Sequence, residues 1–188
     1  MSFLPDLELG IWNAYILMIW LIILPFITDF LIKDKNTSKK LRTSVPVKFE
    51  KELNIMSMLI VIFGFIYSIF LPIKFDTIWY YFGGLIFLFG FILYFSTIVS
   101  LKNVTANRPF DKGSYRYSRH PIYVSMIFIY LSVIIICLSW VFIVLLIFLL
   151  IHLIIAAPAE EKYCLEKYGE KYQRYLEKTP RWIGIPKK

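Results

Sequence analysis

The sequence predicts an all-α fold: a polytopic membrane protein with five transmembrane helices and a cytoplasmic C-terminal interfacial helix, forming one membrane domain over residues 1–188. Three observations predict it. Apolar residues come in runs long enough to cross a bilayer, whose hydrocarbon core of roughly 30 Å takes about 20 residues of helix. Basic residues gather in alternate connections between those runs. The composition is 59% hydrophobic and only 18% charged, with a mean hydropathy of +0.66, whereas soluble domains carry about 25% charge.

The first run, 11–32, matches one span. It is too long for the core of a signal peptide and has neither a basic leader nor a small-residue cleavage site, so it reads as a retained helix. The runs 53–73 and 77–101 give the second and third spans. The run 122–157 has 36 residues, and as one helix it would reach about 54 Å, too far for a single crossing. Two spans, 122–138 and 139–157, fit better, with the turn near Leu138-Ser139-Trp140. Beyond them, Tyr163, Leu165, Tyr168, Tyr172, Tyr175 and Leu176 recur at three- and four-residue steps. That spacing predicts an amphipathic helix at the membrane surface, bent or interrupted at Gly169. No internal repeat or low-complexity segment is present.

Charge orients the chain. The N-terminal segment carries Asp6 and Glu8 but no Lys or Arg. The connection 33–52 holds seven Lys/Arg, the short one after the second span only Lys74, the connection 102–120 five, and the tail eight. By the positive-inside rule the N-terminus is outside and the C-terminus cytoplasmic. A single long last helix would put the tail on the wrong side, so charge also supports the hairpin. The net charge of +8 follows from this topology and argues against a nucleic-acid partner. Cys137 and Cys164 share no local motif, which argues against a disulfide framework or a zinc site; no metal is expected.

Polar residues cluster in two cytoplasmic stretches. One runs through Tyr115, Tyr117, Arg119, His120, Pro121 and Tyr123; the other holds Glu160 and Glu161. A hairpin returns the chain to the side it left, so Arg119-His120 and Glu160-Glu161 should be neighbours. Plainer readings exist for each residue. Arg119, Arg116 and Lys112 would serve as anchors for lipid phosphate. His120 would cap the fourth span, with Pro121 in its first turn. Glu160 and Glu161 would be favourable charges in the first turn of the tail helix. Asp29 would pair with Lys33 four residues on. Gly83-Gly84 suits helix packing rather than nucleotide binding. His152, inside the fifth span, is either a functional ionisable group or a hydrogen-bonding partner for a neighbouring helix.

The pattern Gly113-x-Tyr115 followed by Arg119-His120-Pro121-x-Tyr123 resembles the signature of integral membrane methyltransferases, the isoprenylcysteine carboxyl methyltransferases and phospholipid N-methyltransferases. Glu160-Glu161, then Tyr168-Gly169-x-x-Tyr172-x-x-Tyr175 and Pro180-Arg181, resembles the second half of that signature. The resemblance implies a catalytic region over about 112–181 that uses S-adenosyl-L-methionine. Methyl transfer would go to a lipid or lipid-like acceptor, a carboxylate or an amine, at the cytoplasmic face. The acceptor would be a membrane lipid or a lipidated small molecule or protein. The link before Gly113 is shorter than isoprenylcysteine methyltransferases usually carry, which points away from a prenylated protein. On this resemblance Arg119 and Glu161 are the catalytic candidates. Tyr115, Tyr117, His120, Pro121, Tyr123, Glu160 and Glu161 would hold the methyl donor: carboxylates for its ribose or ammonium, imidazole for its carboxylate, rings for its adenine or sulfonium. Arg119 would orient a carboxylate with a bidentate fork. A nicotinamide-dependent membrane reductase shares Arg-His-Pro-like stretches but does not require the Glu-Glu and Gly-x-x-Tyr pattern. A non-enzymatic membrane protein is the remaining alternative; a transporter would show paired broken helices or repeats, and neither is visible.

Overall fold

The computed structural model describes residues 7–31, 48–101 and 112–187. These are helical and contain no β-strand; one isolated antiparallel bridge joins Asn13 to Pro72. The helices are α1 (Tyr15–Leu31), α2 (Lys48–Ser68), α3 (Ile78–Leu101), α4 (Pro121–Cys137), α5 (Trp140–Tyr168) and α6 (Glu170–Lys178), with a 3₁₀ turn at Gly113–Arg116 before α4. The expected Asp29–Lys33 pair and most of the basic connections 33–52 and 102–120 fall outside the described residues.

One end of the molecule is closed by backbone pairing. The chain entering α1 meets the chain leaving α2: Ala14 N–H donates to the Leu71 carbonyl at 2.9 Å and Ile73 N–H to that of Trp12 at 3.1 Å. Asn13 is buried there because its amide donates to the carbonyls of Glu8 at 2.6 Å and Ile69 at 2.7 Å, which satisfies a polar group that burial would otherwise penalise.

Small residues bring α3 and α4 together. A Cβ on Gly83 would lie 2.5 Å from Ile136 Cγ1, and one on Gly90 only 2.8 Å from Phe128 Cβ and 3.2 Å from the Ser125 carbonyl. Gly84, one residue from Gly83, faces open space. Buried Ser125 and Ser132 return their hydroxyls to the carbonyls of Ile122 and Ile129, so the α4 face meeting α3 is compact and internally satisfied. Behind this pair, Met18, Leu24, Tyr130, Val133, Phe142, Leu149 and Leu153 form the core, and Tyr130 reaches across to the Ile60 carbonyl of α2 at 3.1 Å.

The chain reverses between α4 and α5 through Leu138, in the left-handed region at φ 49°, and Ser139. The helix that begins at Trp140 does not end near Ala157 but runs unbroken through Pro158 to Tyr168. At 29 residues it spans about 43 Å, so its last turns carry Glu160 and Glu161 beyond its apolar portion. Gly169, at φ 56°, then starts α6.

Two helices, Ile78–Leu101 and Trp140–Tyr168, are long and apolar enough to cross a membrane; Tyr15–Ile27, Ile55–Ser68 and Pro121–Cys137 are apolar but shorter. Large apolar side chains such as Phe63, Leu85, Phe89, Phe148 and Ile154 point outward, each at least half exposed. A surface this continuously apolar calls for an apolar environment.

Candidate functional site

The site forms at the end of the α4–α5 hairpin remote from the Leu138 turn. Its entry segment is fixed first. Ser114 Oγ bonds Thr97 Oγ1 of α3 at 2.8 Å, seating the 3₁₀ turn against that helix. Gly113 has a φ of 62°, and a Cβ there would collide with Ser100 Oγ, so the turn needs glycine. Ser118 Oγ accepts the His120 N–H at 3.1 Å and donates to the Arg181 carbonyl at 3.3 Å. Arg119 N–H donates to the Pro180 carbonyl and Gly184 N–H to the Tyr117 carbonyl, both at 3.0 Å. Residues 179–187 thus lie as a strap along the segment that carries Arg119 and His120.

His120 is the N-cap residue of α4, but its side chain makes no capping bond; Pro121 occupies the first turn, where a missing N–H costs nothing. The imidazole points instead at α5. Nε2 lies 3.2 Å from Glu161 Oε1 and Nδ1 lies 3.4 Å from Glu160 Oε2. Arg119 Nη1 is 3.2 Å from the same Glu161 oxygen. Arg181 grips Glu161 from the other side, Nε to Oε1 at 3.0 Å and Nη2 to Oε2 at 2.7 Å, in a bidentate fork. Tyr123 donates its hydroxyl to Glu160 and stacks on His120, with ring centroids 5.2 Å apart. Trp182 of the strap brings its ring within 6.2 Å of the imidazole.

The two carboxylates differ. Glu161 is buried, with a side chain only 8% exposed, and serves three positive or donor groups. Its burial alone would raise its pKa, but His120, Arg181 and Arg119 outweigh that and hold it at about 2. Glu160 is 40% exposed and keeps an open edge. Burial disfavours the His120 cation, yet the hydrogen bonds it donates to both carboxylates prevail and raise its pKa above 6.5. The Arg181 guanidinium is held charged by its bond to Glu161. Arg119 Nε is buried and has no hydrogen-bond partner among the described residues, leaving a donor edge unused.

Arg119, His120, Tyr123, Glu160 and Glu161 therefore converge. Tyr115 joins from behind: burial and then the Glu160 charge push its phenol pKa up, and its carbonyl accepts the Tyr175 hydroxyl at 2.7 Å. Pro121 contributes backbone shape. Tyr117 is 54% exposed, and its carbonyl, bonded to Gly184 N–H, is what ties it to the cluster. Arg181 and Trp182 are missing from the residues expected at the site. Pro180-Arg181 belongs to the motif resemblance, but only the return of the strap shows what the guanidinium meets. Cys164 lies close by with its thiol pushed up to about 11 by burial and then Glu160, so it stays protonated and unreactive.

The plainer readings of four residues lose ground. Glu160 and Glu161 sit more than five turns into α5 rather than in a first turn, where the helix dipole would have favoured them. His120 does not cap with its side chain. Arg119 is 14% exposed and turned to a carboxylate, not displayed as a surface anchor.

No curated protein matches the chain. The family model described as phospholipid methyltransferase matches residues 78–171, which takes in α3, the entry segment, the hairpin and both carboxylates, and makes up half of the chain. The chain belongs to the phospholipid methyltransferase family.

Proposed function

We propose that the protein transfers a methyl group from S-adenosyl-L-methionine to the head group of a membrane lipid, at the cytoplasmic face of a bilayer that it crosses five times. The observation that carries this reading is the joining of Arg119, His120, Glu160, Glu161 and Arg181 in one half-buried cluster beside apolar helices. The family match supports a phospholipid as acceptor, with an amine or a carboxylate as the group methylated.

The residues fit the donor. Its ammonium and ribose hydroxyls need acceptors, and Glu160 has an open carboxylate edge. Its carboxylate needs a donor, and the unused Nε–H of Arg119 offers one. Tyr123, His120 and Trp182 supply rings. When bound, the donor would provide an electrophilic methyl group on a sulfonium. The acceptor's lone pair would take up that methyl group, with sulfur keeping the electron pair of the broken carbon–sulfur bond. A carboxylate acceptor arrives ionised. An ammonium must first lose a proton, and Glu160, open to solvent, is placed to relay it. Glu161 is saturated by its partners, so its role is to hold Arg119, His120 and Arg181 in register. Most of the acceleration would then come from orientation.

Single-turnover transfer from labelled S-adenosyl-L-methionine into a total lipid extract tests this. We expect label in lipid with the wild type. Arg119→Lys keeps the charge but loses the planar fork, and should fold normally while slowing transfer by about 10²-fold or more. A phosphate anchor would tolerate Lys, so near-native rates would remove Arg119 from the chemistry. No transfer to any lipid would remove the function. The crossing number and orientation rest on the charge alternation. Single cysteines at Ser2, Ser38 and Lys188 should label with Ser38 and Lys188 on one side and Ser2 on the other. Ser2 and Lys188 on the same side would contradict five spans.

A further inference from the structure

His152 lies in α5 two turns before the carboxylates, and the cluster does not use it. It is 3% exposed, and its Nδ1 is buried with no hydrogen-bond partner among the described residues. An imidazole nitrogen buried without a partner is disfavoured, because water has been removed and nothing replaces it. Such a group is kept where something else supplies the partner. Two further facts place it. His152, Ala156 and Glu160 stand at successive four-residue steps, a row running up one side of α5. The middle member is a buried alanine, so no bulky side chain of α5 stands between imidazole and carboxylate. The separation along the helix is eight residues, or about 12 Å, toward the apolar part of α5.

We propose that His152 is a specificity-determining contact for the acceptor lipid, its Nδ1–H donating to an ester carbonyl of the glycerol backbone. This rests on reading the protein as a phospholipid methyltransferase. A phospholipid whose head group reaches Glu160 has its phosphate below the reacting atom and its ester carbonyls below that, at the border of head group and hydrocarbon. Those carbonyls are acceptors only, so they suit the Nδ1–H tautomer of a neutral imidazole. His152 would thereby measure the distance from reacting atom to ester, and distinguish ester-linked glycerolipids from lipids with nothing polar at that depth.

The test compares two acceptors with the same ethanolamine head group, one diester and one diether, in mixed micelles with the full-length protein. The wild type should show a KM about tenfold lower for the diester, the size expected for one neutral hydrogen bond. In His152→Phe the diester KM should rise to the diether value while the diether KM stays put. His152→Asn, whose amide N–H stands close to the position of Nδ1–H, should keep the preference. Equal KM values for the two lipids in the wild type, which needs no variant to fold, would overturn the proposal. So would a preference that survives in His152→Phe. Transfer to neither lipid would remove ethanolamine phospholipids as acceptors and the role of His152 with them, while transfer into the total lipid extract tests the methyltransferase reading separately; equal transfer to both would leave that reading standing and remove only the role of His152.

Discussion

Two adjacent glutamates here do different work because of what surrounds each. Glu161 is enclosed by three donors and held at a pKa of about 2, far below its ordinary 4.5, while Glu160 keeps an edge in solvent. The same contacts make folding pH-dependent. A carboxylate whose pKa is depressed on folding contributes stability above its ordinary value, and that contribution is lost as pH falls from 4.5 toward 2. A histidine whose pKa is raised contributes fully below its ordinary 6.5 and loses that contribution as pH rises through the folded value. The cluster should therefore stabilise the fold most between about pH 4.5 and 6.5. Thermal unfolding in detergent across pH checks this: His120→Asn should flatten the alkaline limb and, because His120 helps to hold the Glu161 carboxyl down, narrow the acid limb without abolishing it. An alkaline limb unchanged in the variant would mean that His120 does not carry the charge assigned to it. At this scale the sequence was informative about which residues meet, because a hairpin returns Glu160 and Glu161 to Arg119 and His120 whatever the details of packing. It was less informative about direction. Tyr117 carries the right residue type two positions from Arg119, yet it stands 54% exposed, since the strap pairs with its backbone.

Among the elements, α3 and α4 depend on glycine at particular depths. Gly90 faces the Cβ of Phe128 and backbone atoms of α4, none of which can move aside as the tip of a flexible side chain can, whereas Gly84 faces nothing within 4 Å. Gly90→Ala should cost about 1–3 kcal/mol through overpacking, and Gly84→Ala should be neutral or stabilising by less than about 1 kcal/mol through helix propensity. Denaturation of the two variants in the same micelles checks the contrast; equal effects would mean that the helices approach differently. The helices themselves were legible as apolar runs, and the break at Leu138-Ser139 followed from length, although no glycine or proline marks it. The continuity of α5 through Pro158 was not legible. Composition changes from apolar to polar there, and proline usually signals an end, but a helix ladder survives one missing donor when neighbouring turns hold it. The strap at 179–187 was hidden for another reason: it has no periodicity, and its bonds to Tyr117, Ser118 and Arg119 join residues more than sixty positions apart.

For the whole molecule, the arrangement separates two environments. Outward-facing Phe, Leu and Ile surround α3 and the apolar part of α5, while the extension of α5 beyond about Ala157 carries the charged cluster out of that zone. A lipid acceptor arriving from the apolar side and a water-soluble donor arriving from the polar side would meet where Arg119, His120 and Glu160 stand. The apolar composition and alternating basic segments were plain in the sequence and indicated this division, but neither reveals how the strap closes over Glu161. The most direct test of the account is the affinity of purified full-length protein for S-adenosylhomocysteine, measured by calorimetry beside a reduced nicotinamide. Saturable binding of S-adenosylhomocysteine is expected, and none of the nicotinamide. Glu160→Gln, which keeps the contacts of Glu161 with Arg119 and Arg181, should weaken that binding by about 1.5–3 kcal/mol, the value of a hydrogen bond to a charged group. Nicotinamide binding without S-adenosylhomocysteine binding would contradict the account and favour a reductase.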